Sequence, residues 1–313
     1  MESVEAGRRR SGRQHWILGA LTLTTFLVPL HFGMELNFWE RVLDFLHLPA
    51  FAAIALYFFR FLPLASADRR ILWSFAICTA VAGLIEILQA GTGRQASWDD
   101  FVHGMMGAFV GLLGRMMWPR RSWFRPVYVL YAAFLSAYIA LPAWREWKCI
   151  ARRDQLFPVI SDFESIEDFR RWTEQRQGDV VWGVKVERST VNVSQGQYSL
   201  RINLLAHPLG AVRVFLADQD WRPYHALAFD IFNPGQPWEL SIRIDDHNPP
   251  AVHDRFYRSY QLAHGWNHER IPLSEIHYKG QPLDLSAMRR IVFFLFEPKA
   301  EENVFYLDWM RLE

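Results

Sequence analysis

The chain has 313 residues, of which 51% are hydrophobic and 21% charged, with 2 cysteines. This excludes a disordered chain and a disulfide-stapled module, and the length favours two domains. Lys and Arg number 34 against 33 Asp and Glu, a net charge of +1, so no global field recruits nucleic acid.

Residues 1–15 form an arginine-bearing tail, with Arg8, Arg9, Arg10 and Arg13. From Trp16 to Met34 no charge occurs. That run is too long for the apolar core of a signal peptide and no clean cleavage site follows, so it reads as a retained transmembrane helix. Four more apolar segments follow, at about 46–64, 71–90, 100–118 and 126–144. At about 1.5 Å per residue each is long enough for roughly 30 Å of hydrocarbon. The fourth is diluted by glycines and His103, and a four-crossing arrangement with that stretch re-entrant is the competing reading.

Arginines orient the set. The N-terminal tail, the loop with Arg60, Arg69 and Arg70, and the loop with Arg115, Arg120, Arg121 and Arg125 alternate with loops holding only Arg41 and Arg94. The basic loops belong in the cytoplasm. The expectation is a multi-pass protein of the cytoplasmic membrane with its N-terminus inside. The transmembrane domain spans 16–144, a linker 145–156, and an extracytoplasmic domain 157–313, periplasmic in a two-membrane bacterium. Cys78 and Cys149 fall in different regions, and no disulfide is expected between them.

The last region changes character. Short β runs at 180–187, 198–204, 212–217, 226–232, 238–244, 256–262, 290–296 and 304–310 are separated by turn signals such as Asn233-Pro234-Gly235. A short helix is expected over 166–172. The expected fold is therefore a membrane α-helical bundle of five transmembrane helices followed by an extracytoplasmic all-β jelly-roll sandwich.

Ionisable groups at membrane depth are costly and therefore informative. Asp44 and His47, Glu86 and Gln89, and Asp100 and His103 are three pairs at i,i+3 spacing, each on one helix face. With Arg94 and Asp99 they lie at the outer ends of their segments. Gly104, Gly107, Gly111 and Gly114 continue the stripe below Asp100 and His103, and small residues at this spacing let helices approach closely. Glu86, His47, Asp99, Asp100 and His103 are the candidate acid/base or metal-orienting set, and Arg94, Gln89 and Asp44 the candidate substrate contacts, with Arg94 as a phosphate clamp. A polyprenyl-phosphate or other glycolipid suits a pocket open to membrane lipid, and the same carboxylates suit a divalent metal. An ion-paired cluster that only joins the helices accounts for the same residues.

The segment Ile85-Glu86-Ile87-Leu88-Gln89, with Arg94, Asp99-Asp100 and His103-Gly104 after it, resembles the signature of VanZ-like membrane proteins. Asp44-Phe45-Leu46-His47 resembles their earlier histidine motif, although family members more often begin it with Lys, and His103 stands where many carry Asn. The resemblance covers about 16–143. It implies envelope work and an association with glycopeptide resistance, without a defined reaction. The later region resembles galactose-binding-like and carbohydrate-binding jelly rolls. Phe163-Glu164, Leu227–Pro234, Gly265-Trp266-Asn267 with Ile271-Pro272-Leu273, and Phe305-Tyr306-Leu307-Asp308-Trp309 carry that likeness. It implies a polysaccharide partner, and Glu164 with Asp308 as a clamp for a structural Ca2+.

Sugar surfaces use aromatic platforms beside a few polar groups. Trp221, Trp266, Tyr257 and His247 are the candidates, with the likeliest site near the loop Asp245–Arg255, rich in Asp, His, Asn and Pro, against the alternative that such aromatics simply fill the core. Trp98, Trp144 and Trp147 read as interfacial anchors. Two functions stay open: an envelope enzyme or handler of lipid-linked intermediates, and a non-catalytic, membrane-anchored glycan-binding or antibiotic-resistance accessory protein.

Overall fold

The computed structural model describes residues 36–91, 97–117, 124–173, 183–204, 210–279, 281–296 and 303–313. The chain divides into two compact units, 1–144 and 145–313. The tail and the expected first crossing, 16–34, lie outside the described residues.

In the first unit, helices α1 (Leu36–Phe61), α2 (Ala67–Gly91) and α3 (Trp98–Met117) pack together, and α4 runs from Phe124 to Leu156. Phe51, Ala55 and Phe59 of α1, Cys78, Ala82 and Ile85 of α2, and Ala108 and Leu112 of α3 form their core. These residues recur at three- and four-residue steps, so each helix buries one stripe. The glycines set the distance between α1 and α3. A Cβ on Gly107 would lie 2.3 Å from the Leu48 carbonyl oxygen, and one on Gly111 2.8 Å from that of Ala52. At the opposite end from Asp44, Arg70 and Arg115 both lie over the Phe59 ring, at 5.2 and 5.3 Å.

The expectation of five crossings is corrected here. Among the described residues three helical stretches are long and apolar enough to cross a membrane: Arg41–Phe61, Ala67–Leu88 and Arg125–Leu156. The expected fourth crossing does form a helix, α3. However, its first turn holds Asp99 and Asp100, and its apolar content is diluted by His103 and four glycines. It buries Asp100, Gly104, Gly107 and Gly111 against protein, which avoids exposing a carboxylate to hydrocarbon. Residues 145–156, expected as a linker, continue α4 to its end at Leu156. The residues from Arg145 onward belong to the second unit, where Lys148 pairs with Glu167 and Arg152 with Asp162. Cys78 and Cys149 are both buried and are not joined in a disulfide.

The second unit is an antiparallel sandwich. Its strands are β1 (Val159–Ser161), β2 (Val184–Ser189), β3 (Ser199–Leu204), β4 (Ala211–Gln219), β5 (Ala226–Asn233) and β6 (Trp238–Asp246), then β7 (Phe256–Leu262), β8 (Gly265–Pro272), β9 (His277–Tyr278), β10 (Gln281–Pro282), β11 (Met288–Phe294) and β12 (Asn303–Leu312). The first sheet runs β2-β3-β12-β5-β8, with β1 also on β12, and the second runs β4-β11-β6-β7. Alternate residues of both sheets, such as Leu200, Ile202 and Leu204 of β3 and Leu240, Ile242 and Ile244 of β6, meet in one core.

Helix α5 (Ile166–Thr173) is anchored by a buried network. The Asp168 carboxylate accepts the Ser161 hydroxyl, the amides of Asp162 and Phe163, and Arg171 Nη1 at 2.9 Å. Burial pushes the Asp168 carboxyl up and the Arg171 guanidinium down, while each partner's charge opposes the shift in the other.

Candidate functional site

Several of the polar residues expected in the helical unit come together. Asp44, Asp100 and His47 are mutual neighbours, with Arg41 3.7 Å from Asp44. His103 faces Asp44, Asp99 and His47. His47 and Asp100 are buried, and His47 Nδ1 lies 3.0 Å from the Leu43 carbonyl oxygen. The glycine contact between α1 and α3 is what brings these groups together. Glu86 joins α2 to the start of α3, where its carboxylate accepts the Ser97 amide at 2.7 Å. Arg94 and the side chain of Gln89 lie outside the described residues. Among the described residues, no three His, Cys, Asp or Glu side chains are placed to hold a metal ion. The expected divalent metal therefore has no ligand set among them.

Glu164 and Asp308, expected as a calcium clamp, both accept main-chain amides. Glu164 Oε1 accepts the amides of Gln197 and Tyr198, at 2.8 and 2.9 Å. Asp308 Oδ2 accepts the amides of Ser194 and Gln195, and its Oδ1 that of Trp309. Both carboxylates thus tie down the loop before β3 with N–H donors, which are not oxygen ligands for calcium. Burial raises the Asp308 carboxyl, and the amides it accepts work against that rise.

The four aromatic and histidine candidates separate. Trp221 is fully buried, so it serves the core and presents no face to a sugar, which corrects the expectation. Trp266 stands on the outer face of the first sheet. It contacts Phe232 edge-on at 5.3 Å, and Phe232 meets Tyr306 at 6.2 Å. The charges on that side pair off: His268 with Asp230 at 2.7 Å, and Arg201 with Glu187 at 3.1 Å.

Tyr257 lies on the outer face of the second sheet, in a different setting. Cross-strand register places Arg213, Val292, Arg243 and Tyr257 in one row across β4, β11, β6 and β7. The next row holds Phe215, Arg290 and Asp245. Tyr257 meets Phe294 at 5.8 Å and Phe296 at 5.7 Å, and those two rings are 4.9 Å apart. The Tyr257 hydroxyl donates to the Val252 carbonyl at 2.6 Å, which fixes the ring. Beside this cluster Asp245 is fully buried beneath three guanidinium groups. Arg290 Nε donates to its Oδ2, while Arg243 Nε lies 3.2 Å and Arg255 Nη1 3.7 Å from the same oxygen. The Arg243 approach is too oblique for a hydrogen bond, and Asp245 Oδ1 has no hydrogen-bond partner. His247 sits past the end of β6, with Nδ1 3.3 Å from Asp218.

Sequence reasoning pointed to the loop Asp245–Arg255 but missed the candidates Arg243, Arg290, Phe294 and Phe296 on and just past the neighbouring strands. Alternation in Ser241-Ile242-Arg243-Ile244 placed Arg243 opposite the core, but only the pairing of β6 with β11 sets Arg290 beside Asp245. The neighbouring Asp246 has another role. It accepts the Tyr278 hydroxyl at 2.8 Å and the amides of Asn248 and Asp284, and so holds the strand ends.

No protein-family model matches the chain, and no curated protein matches it. Among solved structures, a family 11 carbohydrate-binding module from Clostridium thermocellum, in complex with a β-1,3-1,4-mixed-linked tetrasaccharide, is 20% identical. That match covers 45% of this chain and 94% of that one, at a TM-score of 0.35. An exo-β-agarase is 14% identical over 50% of this chain and 24% of its own, at 0.39. A family 30 carbohydrate-binding module of a Clostridium thermocellum cellulosomal cellulase is 18% identical over 44% and 84%, at 0.34. At such identities and scores the likeness assigns no ligand, and the site is read from its own geometry.

Proposed function

We propose that this chain is a membrane-anchored glycan-binding protein of the cell envelope, an accessory protein whose β-sandwich holds polysaccharide. The outer face of the second sheet carries the reading. Tyr257, Phe294 and Phe296 offer apolar ring surface, and the guanidiniums around Asp245 offer donors for hydroxyl and ring oxygens. His247 stands at its rim. Trp266 belongs to the opposite face, whose charges are already paired. The test uses the full chain in nanodiscs against a panel of polysaccharides, read by biolayer interferometry. Tyr257→Ala is expected to lose at least about tenfold in affinity, as removal of a stacking aromatic does, whereas Trp266→Ala keeps it. The reverse pattern moves the site to the first sheet, and no binding to any glycan overturns the reading.

The β-sandwich is proposed to lie outside the cytoplasmic membrane. Arg60, Arg69 and Arg70 mark the turn between α1 and α2, and Arg115, Arg120, Arg121 and Arg125 the turn between α3 and α4, the side that cytoplasmic loops favour. Helix α4 then ends on the other side. Protease digestion of the sandwich in intact spheroplasts supports this placement, and protection until lysis refutes it.

A second reading rests on the convergence of Asp44, His47, Asp100 and His103 at the helix ends away from those arginines. We infer a polar pocket for a phosphate-bearing lipid-linked glycan there, with Asp99 beside it. The teicoplanin sensitivity of a deletion strain, complemented by wild type or by His47→Ala, tests both this pocket and the VanZ-like resemblance. Equal complementation by the two counts against the pocket.

A further inference from the structure

The charges on the outer face of the second sheet do not balance. Arg243, Arg255 and Arg290 surround one carboxylate, that of Asp245, so the cluster keeps two positive charges in excess. Asp254 lies 3.0 Å from His253, Asp218 lies 3.3 Å from His247, and Gln261 donates to Glu239 at 3.1 Å. Arg255 Nε is spent on the Pro250 carbonyl at 2.9 Å. Arg243 Nε is buried without a hydrogen-bond partner, and the Arg243 side chain as a whole is 19% exposed. A concentrated set of guanidiniums over a fully buried carboxylate costs desolvation energy that a one-to-one pair would avoid. The excess is intelligible if an anion completes the set.

The geometry also restricts the anion. Arg243 and Tyr257 are directly opposite on β6 and β7, and adjacent strands are separated by about 4.8 Å. An acidic group held by Arg243 and Arg290 therefore lies on the same sheet face as Tyr257 and Phe294, with Arg243 one strand from Tyr257. The ring and its charge belong to one residue of the ligand. A planar carboxylate matches the fork of a guanidinium.

We infer that the polysaccharide taken by this face is acidic, one whose sugar rings carry carboxylates as uronic acid residues do. This rests on the glycan-binding reading and specifies its ligand class. The full chain in nanodiscs is titrated with polygalacturonate, with the same polymer after carboxyl reduction, and with dextran sulfate. The expected result is that polygalacturonate binds at least about tenfold tighter than its reduced form, since charge-assisted pairs are the strong ones. That ratio shrinks as salt is raised. Arg243→Gln brings it toward one, and Arg243→Lys, which keeps the charge but loses the fork, retains an intermediate ratio, which separates loss of charge from misfolding. Equal binding of the native and reduced polymers overturns the acidic class while leaving the glycan reading in place. Absence of binding to every polymer overturns both. Dextran sulfate bound as tightly as polygalacturonate, with Tyr257→Ala without effect, marks attraction of any polyanion and overturns the proposal.

Discussion

Gly107 in the helical unit and Gly265 in the sandwich lack a side chain for opposite reasons. A Cβ on Gly107 would meet backbone atoms of Leu48 at 2.3–3.1 Å, although the glycine itself is helical. A Cβ on Gly265 would meet nothing within 4 Å, but the residue has φ +94, at the turn between β7 and β8. The first is a steric demand made by another helix, and the second a torsional demand made by the turn. The units hold their buried polar groups by correspondingly different means. The helical unit gathers Asp44, His47, Asp100 and His103 by bringing two helices to near contact. The sandwich surrounds Asp168 and Asp308 with amide donors.

Four measurements break or sharpen this contrast. The largest effect is expected for Asp168→Ala, which strands Arg171 in the interior. A loss of about 4 kcal/mol in urea unfolding of the sandwich is expected, and a loss under 1 kcal/mol means the network is ornamental. Gly107→Ala comes next, at about 2–3 kcal/mol, because the contact is with main chain that cannot swing away. Thermal unfolding in detergent reads it. Gly265→Ala costs only the left-handed backbone, about 1 kcal/mol. If it proves as damaging as Gly107→Ala, the division between steric and torsional glycines is wrong.

The smallest effect lies on the surface. Arg222 hydrogen-bonds the Asp220 side chain and holds its carboxyl down, at about 2 against an ordinary 3.8. A carboxyl depressed in the folded state contributes stability above its ordinary value and loses it as pH falls toward its folded one. The contribution therefore fades between pH 3.8 and about 2. A carbon-detected NMR titration is expected to show the Asp220 midpoint rising toward 3.8 in Arg222→Gln, and an unmoved midpoint rules out the pairing as the cause.

Individual elements show how much of this could be read in advance. Strands β3, β5 and β6 announce themselves by alternation, and α5 by its helical spacing. Strand β8 does not, because Asn267, His268, Glu269 and Arg270 follow Trp266 without an apolar face. The pairing of β8 with β5 makes it a strand. The glycine stripe of α3 correctly signals a close helix contact. The hydropathy of the same stretch misleads as a count of crossings, since its face with Asp100 and the glycines is buried against protein.

The site was legible in part for the same reason. Tyr257 and Trp266 are both aromatic neighbours of polar residues in the chain, and nothing local places them on opposite sheets. Trp221 follows two aspartates and looks exposed, yet the packing of the sandwich covers it completely. The sequence by itself determined the division into an apolar helical half and a β half, because the spacing of apolar residues is a local record of which face avoids water. Only the tertiary structure decided that Arg243, Arg255 and Arg290, drawn from three separate stretches, converge on Asp245. Strand register sets that convergence, and a shift of a single residue turns every side chain of a strand to the other face.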